Sequence, residues 1–266
     1  MSDLTRRQHY VPRVYLRRWA PDETNLLVTD KKTGNSKKMS VADTTVQNWY
    51  YEDPDAEPNN ELEAAFHDFE GSFGSAMRLF DFVYNTALAQ GQNPERAMSS
   101  MLTWLDPRRV EITRFAATLY FRTPGALEAK QGEVAAAGGP LPGLGAAIAN
   151  AYEFTKAGLS SPIIDRLVAM RMCLLQSEDG FITSDRPCFD IDRLSNRIPG
   201  FGDELGINDD VVCLMPLTTH WFALYIPAFS DAKPAVQAKK LTRQETDAFN
   251  DLVRGKARRW VVEVQK

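Results

Sequence analysis

Cysteine and histidine are both scarce in this chain, with three of each among 266 residues. The cysteines Cys173, Cys188 and Cys213 are odd in number and include no Cys-x-x-Cys pair, which argues against a disulfide framework or a zinc site. Cys173 and Cys213 lie in apolar runs, where a cysteine usually acts as a small hydrophobe. No apolar run approaches the length that spans a bilayer, and the first ten residues lack the apolar stretch of a signal peptide. A reducing cytoplasm is therefore the expected compartment, with no membrane partner. Also absent are the G-x-x-x-x-G-K-S/T phosphate loop, a G-x-G-x-x-G turn, H-E-x-x-H and G-x-S-x-G. Kinase, Rossmann dehydrogenase, zincin and lipase readings thus have little support.

What is present is an ordinary globular composition, 44% hydrophobic and 25% charged. A chain of this length buries enough surface to need no staple, and residues 1–266 read as a single domain without internal repeats. The net charge of −4 argues against a surface coated in phosphate-binding charge. It leaves room for a local basic groove, because Arg6, Arg7, Arg13, Arg17 and Arg18 crowd one end and Arg254, Lys256, Arg258 and Arg259 the other.

The order of elements predicts an α+β fold, with an N-terminal β-hairpin and a C-terminal strand pair packed with a central bundle of helices. Pro12 opens a short helix carrying Tyr15, Leu16 and Trp19 inward. Residues 26–30 and 37–41 form the hairpin around Gly34, and residues 47–51 a further extended segment. Asn60 and Glu63 form a capping box for a long helix whose apolar stripe is Leu62, Ala65, Phe66, Phe69, Phe73, Met77 and Phe80. A second helix starts at Asp106-Pro107, carries Ile112, Phe115, Ala116 and Leu119 inward and stops near Thr123, ahead of Pro124. Residues 125–160, rich in Ala and Gly, are expected to be a mobile helical insertion or lid. Ser161-Pro162 opens a helix with Ile164, Leu167, Val168, Leu174 and Leu175 on its buried side. Residues 181–183 form a short strand, and 211–217 pairs with 221–226 around the turn Thr218-Thr219-His220. A second capping box, Thr242 and Glu245, starts the last helix.

Several of these segments carry a family resemblance. Arg7-Gln8-His9-Tyr10-Val11-Pro12 followed by Tyr15-Leu16, the turn Asp30-Lys31-Lys32-Thr33-Gly34, Glu70, Arg122-Thr123-Pro124 and Phe181-Ile182-Thr183-Ser184-Asp185-Arg186-Pro187 occur in that order. Met215-Pro216-Leu217-Thr218 and Ala257-Arg258-Arg259-Trp260 complete the set. Together they resemble the bacterial family catalogued as domain of unknown function 4238, over nearly the whole chain. The resemblance implies boundaries and names no activity.

The candidate chemistry rests on a few polar positions. His9 exchanges a proton near neutral pH and precedes a helix start. The Gln8-His9-Tyr10-Val11-Pro12 stretch has a superficial likeness to ββα-metal nucleases, but lacks their acidic residue before the histidine. Glu63, His67 and Glu70 share one helix face. Glu70 lies between Phe69 and Phe73, where a carboxylate needs a partner. Arg122 either closes a helix by facing its carbonyls or grips a carboxylate or phosphate, with Glu70 the obvious partner. Asp185 follows a short strand, where it either orients His9 or bonds its own turn. The acidic residues Asp203, Glu204, Asp209 and Asp210 read as a solvated loop.

The leading expectation is a hydrolase, a phosphodiesterase or nuclease, with His9, Glu70 and Asp185 as catalytic groups. Gln8, Tyr10, Arg122 and Ser184 would bind substrate, and Arg122 or an N-terminal arginine would clamp phosphate. Glu70 and Asp185 could instead hold a divalent metal ion. Nucleic acid or another phosphate-containing ligand is the expected partner. The alternative is a non-catalytic module that binds an anionic ligand or a protein. A shallow apolar surface over residues 125–160, with His9 and Arg122 both locked in core hydrogen bonds, would favour that alternative.

Overall fold

The computed structural model describes residues 4–136, 150–159, 162–191, 213–226 and 236–264. Helices and three sheets make an α+β fold, as the order of elements predicts. Strand β1 (Arg7–His9) pairs antiparallel with β4 (Val46–Asn48), His9 facing Val46. A four-stranded sheet runs β3 (Ser36–Ser40), β2 (Asn25–Asp30), β10 (Trp260–Glu263), β6 (Thr183–Ser184), so the two ends of the chain share it. A second four-stranded sheet runs β7 (Cys213–Pro216), β8 (Trp221–Ile226), β5 (Arg171–Gln176), β9 (Val236–Lys240), and only its β5–β9 pair is parallel. Gly34 closes the β2–β3 hairpin at φ +71°, a conformation that costs glycine little.

The short helix α1 (Arg13–Leu16) starts after Pro12 and runs into a 3-10 turn, Arg17–Trp19. It fastens the N-terminal segment to both larger sheets. The Tyr15 hydroxyl donates to the Pro216 carbonyl at 2.7 Å and lies 2.7 Å from Thr183 Oγ1. Trp19 Nε1 donates to the Phe181 carbonyl at 2.8 Å.

The long helix α2 (Glu61–Ala89) buries Leu62, Phe66, Phe73, Met77 and Phe80, the i, i+4, i+7 stripe of an amphipathic helix. Ala65, expected in the stripe, is exposed, and Phe69 is only partly buried at its margin, whereas Phe73 stacks on Phe115 with centroids 3.9 Å apart. The expected Asn60–Glu63 capping box does not form. Asn60 takes a left-handed conformation at φ 58° and its side chain accepts no cap bond. Asn59 Oδ1 accepts the Glu61 N–H instead, and Glu52 Oε2 accepts the N–H groups of Asn59 and Asn60.

Helix α3 (Pro94–Leu105), which sequence reading passed over, begins with Asn93 accepting from the Arg96 N–H and Pro94 at its first position. Helix α4 (Arg109–Phe121) buries Ile112, Phe115, Ala116 and Leu119 as expected. Of the stretch 125–160, residues 137–149 and residue 160 lie outside the described residues. The remainder holds α5 (Pro124–Ala136) and α6 (Ala151–Leu159). Helix α6 approaches α4 so closely at Gly158 that a Cβ there would fall 2.3 Å from Phe121 Cγ.

Leu174 and Leu175 belong to β5 and not to the helix expected from Pro162, since that helix, α7 (Ile163–Ala169), ends before them. Met172 and Leu174 face one apolar cluster while Cys173 and Leu175 face another, as strand alternation requires. Helix α8 (Arg243–Lys256) carries the expected Thr242–Glu245 capping box and buries Phe249 and Val253. The expected acidic loop at 203–210 lies outside the described residues. Among the described residues no helix is long and apolar enough to cross a membrane.

Candidate functional site

Arg122 gathers three of the polar positions singled out in the sequence. Its guanidinium is buried and donates from Nε to Tyr51 Oη at 3.0 Å, from Nη1 to Glu70 Oε1 at 2.9 Å and from Nη2 to the His9 carbonyl at 2.8 Å. The guanidinium carbon lies 3.9 Å from the centroid of the Phe66 ring. Burial opposes its charge, but Tyr51 and Glu70 hold it protonated above its ordinary range. The Tyr51 hydroxyl returns a bond to the Arg122 carbonyl at 3.0 Å. Each of the three guanidinium nitrogens thus has a protein partner, and the group serves as a clamp between β1, α2 and the end of α4.

His9 brings its backbone to that clamp. Its ring Nε2 lies 3.1 Å from the Ala42 carbonyl, which can only accept, so Nε2 carries the proton. Burial pushes the imidazole down to about 4; the Ala42 bond opposes this, while Arg13, Arg7 and Arg122 add to it. His9 is thus neutral at pH 7. Gln8, fully buried, donates to Glu52 Oε1 at 2.6 Å and accepts from the Tyr51 N–H at 2.7 Å, which ties β1 to the start of α2. Burial raises the Glu63 carboxyl, and its Oε2 has no hydrogen-bond partner among the described residues. His67 is exposed on the same helix.

Asp185 is held elsewhere, by the chain end. Its Oδ1 accepts from the Arg258 N–H at 2.9 Å, and its Oδ2 from those of Arg259 and Trp260 at 2.9 and 3.1 Å. Burial raises its carboxyl, against the pull of those three donors. Ser184 Oγ accepts from the Arg186 N–H at 3.2 Å, closing the local turn. Tyr10 is buried, with its ring 5.6 Å from Tyr50; burial raises its phenol, and the nearby Asp185 charge raises it further. The structure therefore joins His9, Glu70 and Arg122, and ties Asp185 and Ser184 to backbone groups. Among the described residues no three His, Cys, Asp or Glu side chains are grouped to hold a metal ion.

A cavity of about 690 Å³ opens on another part of the surface, between α1, α2, the end of β5 and the β7–β8 turn. Arg17, Arg18 and Arg78 line it, with Thr218, His220 and Trp221. Three carboxylates also line it, those of Glu23, Asp81 and Glu178. Arg18 pairs with Asp81 at 2.7 Å and Lys240 with Glu178 at 2.6 Å. Arg17 and Arg78 are exposed and form no ion pair with a described carboxylate, and among the described residues Arg78 bonds only Ser75 Oγ, at 3.1 Å. The three arginines of the lining balance its three carboxylates, and Lys240, which pairs with Glu178 from outside the lining, brings the total to one positive charge.

The β7–β8 turn supplies polar groups with defined roles. Thr218 Oγ1 accepts from the N–H groups of His220 and Trp221 at 3.0 and 3.1 Å, which leaves its own hydroxyl hydrogen to donate. His220 Nδ1 lies 3.1 Å from the Ser177 carbonyl, so Nδ1 carries the proton and Nε2 is the accepting nitrogen. Sequence reading marked Arg17 and Arg18 as members of a basic cluster, but passed over Arg78 and treated His220 as part of a turn. The i, i+4 spacing of Gly74 and Arg78 held one clue. Gly74 lets α1 approach α2, since a Cβ there would lie 2.9 Å from Val14 Cγ2.

These features define an α+β protein with an arginine-lined surface cavity. The sequence profile of the family described as "Protein of unknown function (DUF4238)" matches residues 7–141 and 146–266, and the chain belongs to that family. No curated protein and no solved structure matches it.

Proposed function

We propose that the chain binds a phosphate-bearing anionic ligand in the cavity between α1, α2 and the β7–β8 turn, with Arg17 and Arg78 as the clamp. The observation that carries this reading is a ligand-sized cavity lined by two guanidinium groups without ion-pair partners among the described residues. Arginine suits the task because its planar donors match phosphate oxygens. The Thr218 hydroxyl adds a neutral donor at the same wall. The His9–Arg122–Glu70 constellation supports this binding reading over hydrolysis at His9, because the His9 ring N–H and three of the five Arg122 N–H donors are held by protein groups.

Calorimetric titration with inorganic phosphate, a nucleoside monophosphate and a short single-stranded oligonucleotide tests the proposal. At least one probe binds, and Arg17→Ala with Arg78→Ala weakens it by about tenfold or more, since hydrogen bonds to charged groups contribute about 1.5–3 kcal/mol each. Both side chains are exposed, so the unfolding midpoint stays near that of the parent. No heat with any probe, or binding indifferent to the double substitution, overturns the reading.

A second reading, phosphodiester hydrolysis, is favoured by His220, whose Nδ1–H bond to Ser177 leaves Nε2 to take a proton from water. Turnover of bis(p-nitrophenyl) phosphate that His220→Ala abolishes supports it. Absence of turnover with phosphate binding intact leaves the protein a binding module.

A further inference from the structure

The three cysteines divide into a pair and a lone residue. Cys188 Sγ and Cys213 Sγ lie 3.0 Å apart, and both are buried within the same apolar cluster. Cys173 belongs to the other cluster. The sheet register explains the division. Cys213 on β7 faces Tyr225 on β8, and Cys173 on β5 faces Leu224, the next residue along β8. Successive residues of a strand point to opposite faces, so Cys173 is turned away from the pair.

The backbone holds the pair in place. Residues Phe189 and Leu214, each next to one cysteine of the pair, form an antiparallel bridge with both hydrogen bonds made, at 3.1 and 2.8 Å. The thiols are therefore fixed by sheet-like pairing. A disulfide has its sulfurs about 2.05 Å apart, so bond formation asks for an approach of roughly 1 Å.

We propose that Cys188 and Cys213 are an oxidation site, converted by a small two-electron oxidant such as hydrogen peroxide into an intramolecular disulfide. One sulfur, as thiolate, attacks peroxide. The O–O bond breaks, that sulfur becomes a sulfenic acid, and the hydroxide released takes up the thiol proton as water. The second sulfur then attacks the first. The S–S bond forms, the S–O bond breaks, and the departing hydroxide takes the second thiol proton as a second water. The two thiols lose two electrons, and one peroxide becomes two waters.

Burial gives the site its selectivity. A bulky disulfide such as oxidised glutathione cannot reach two thiols that are 0% and 2% exposed, whereas peroxide is little larger than water. Burial also pushes the Cys188 thiol well above its ordinary range, so the thiolate is rare at neutral pH. The reaction is accordingly slow at pH 7 and faster in mild alkali, and once one sulfur is oxidised its partner is already in contact.

The test uses the folded full-length protein. It is treated with peroxide, quenched with catalase, then denatured and alkylated. One alkylated cysteine in place of three, an intact mass lower by 2 Da before alkylation, and a cross-linked peptide joining Cys188 to Cys213 are the expected results. Reductant restores all three alkylation sites. Cys188→Ala and Cys213→Ala each abolish the cross-link; the wild-type experiment stands without them should either variant fail to fold. Three alkylated cysteines after peroxide, sulfonic acid at Cys188 without a cross-link, or a cross-link that forms only when the chain is unfolded in urea beforehand would each overturn the proposal.

Discussion

Arg122 and Glu70 form an unequal pair: Nη1 meets Oε1 at 2.9 Å, but the guanidinium is 1% exposed and the carboxylate 25%. Water reaches only the acid. Removing Glu70 therefore leaves a buried cation without its counter-charge, while removing Arg122 leaves an acid that can hydrate. Arg122 has further partners, however, in Tyr51 Oη, the His9 carbonyl and the Phe66 ring. Breaking a buried pair by deleting one partner costs about 3–5 kcal/mol. We expect Glu70→Ala near the lower end and Arg122→Ala at or above the upper, measured by urea unfolding. A loss of under about 1 kcal/mol in both variants would show that the clamp has no structural role and would restore these residues as site candidates.

Asp185 offers a clean separation of structure from chemistry. Its two oxygens serve three consecutive N–H groups, from Arg258 to Trp260. Asparagine keeps one acceptor oxygen and turns an NH₂ toward N–H donors, so at least one donor loses its partner. Asp185→Asn should cost about 1–3 kcal/mol and loosen the join of β10 to β6, seen as faster amide exchange at residues 258–260. Phosphate binding at the α1–α2 cavity should persist at a temperature well below the lowered midpoint. An unchanged midpoint with lost activity would instead place Asp185 in a reacting site.

The parts legible in the sequence are those set by local signals. Thr242 and Glu245 satisfy each other's backbone donors within three residues, and the stripe Phe66, Phe73, Met77 repeats at helical spacing whatever lies opposite. Where distant segments decide, the local signal misleads. Met172 to Leu175 is a continuous apolar run because β5 is buried on both faces, and such a run looks the same in a buried helix. Strand β9 shows no alternation that marks it, and β10 exists because β2 and β6 flank it. Glu52 displaced the expected role of Asn60 from outside the helix altogether. The same holds for the cavity. Arg17 and Arg18 stood out as clustered charge, but Arg78 and His220 join them only through the packing of α1 on α2 and on the β7–β8 turn.

Phe73 and Phe69 provide a test of the core face of α2. Phe73 is fully buried and stacks on Phe115, with ring planes 13° apart, whereas Phe69 is only partly buried beside the cluster. Phe73→Ala should cost about 3–5 kcal/mol, the range for a buried aromatic whose cavity stays open. Phe69→Ala should cost clearly less. Denaturant midpoints of the two variants decide the matter, and a reversed order would rotate the buried face of α2 by one turn position.

His9 gives stability a predictable dependence on pH. Its imidazole titrates at about 4 in the folded chain against 6.5 when free, because burial disfavours the cation and the Ala42 carbonyl only partly offsets this. Between those values the unfolded chain carries a proton on His9 and the folded chain does not. Unfolding therefore takes up a proton, and stability falls as pH falls through that window. Above 6.5 neither state is protonated at His9, and below about 4 both are, so the dependence levels off at each end. Other groups titrate in the same range, and the informative quantity is the difference between the parent and His9→Gln, whose side-chain amide can still donate to Ala42. Urea midpoints at half-unit steps from pH 7.5 to pH 4 should fall more steeply for the parent, with the two curves parallel above neutrality. Parallel curves throughout would mean that His9 is solvated in the native protein. Its neutral, carbonyl-bonded place beside the Arg122 clamp would then be wrong.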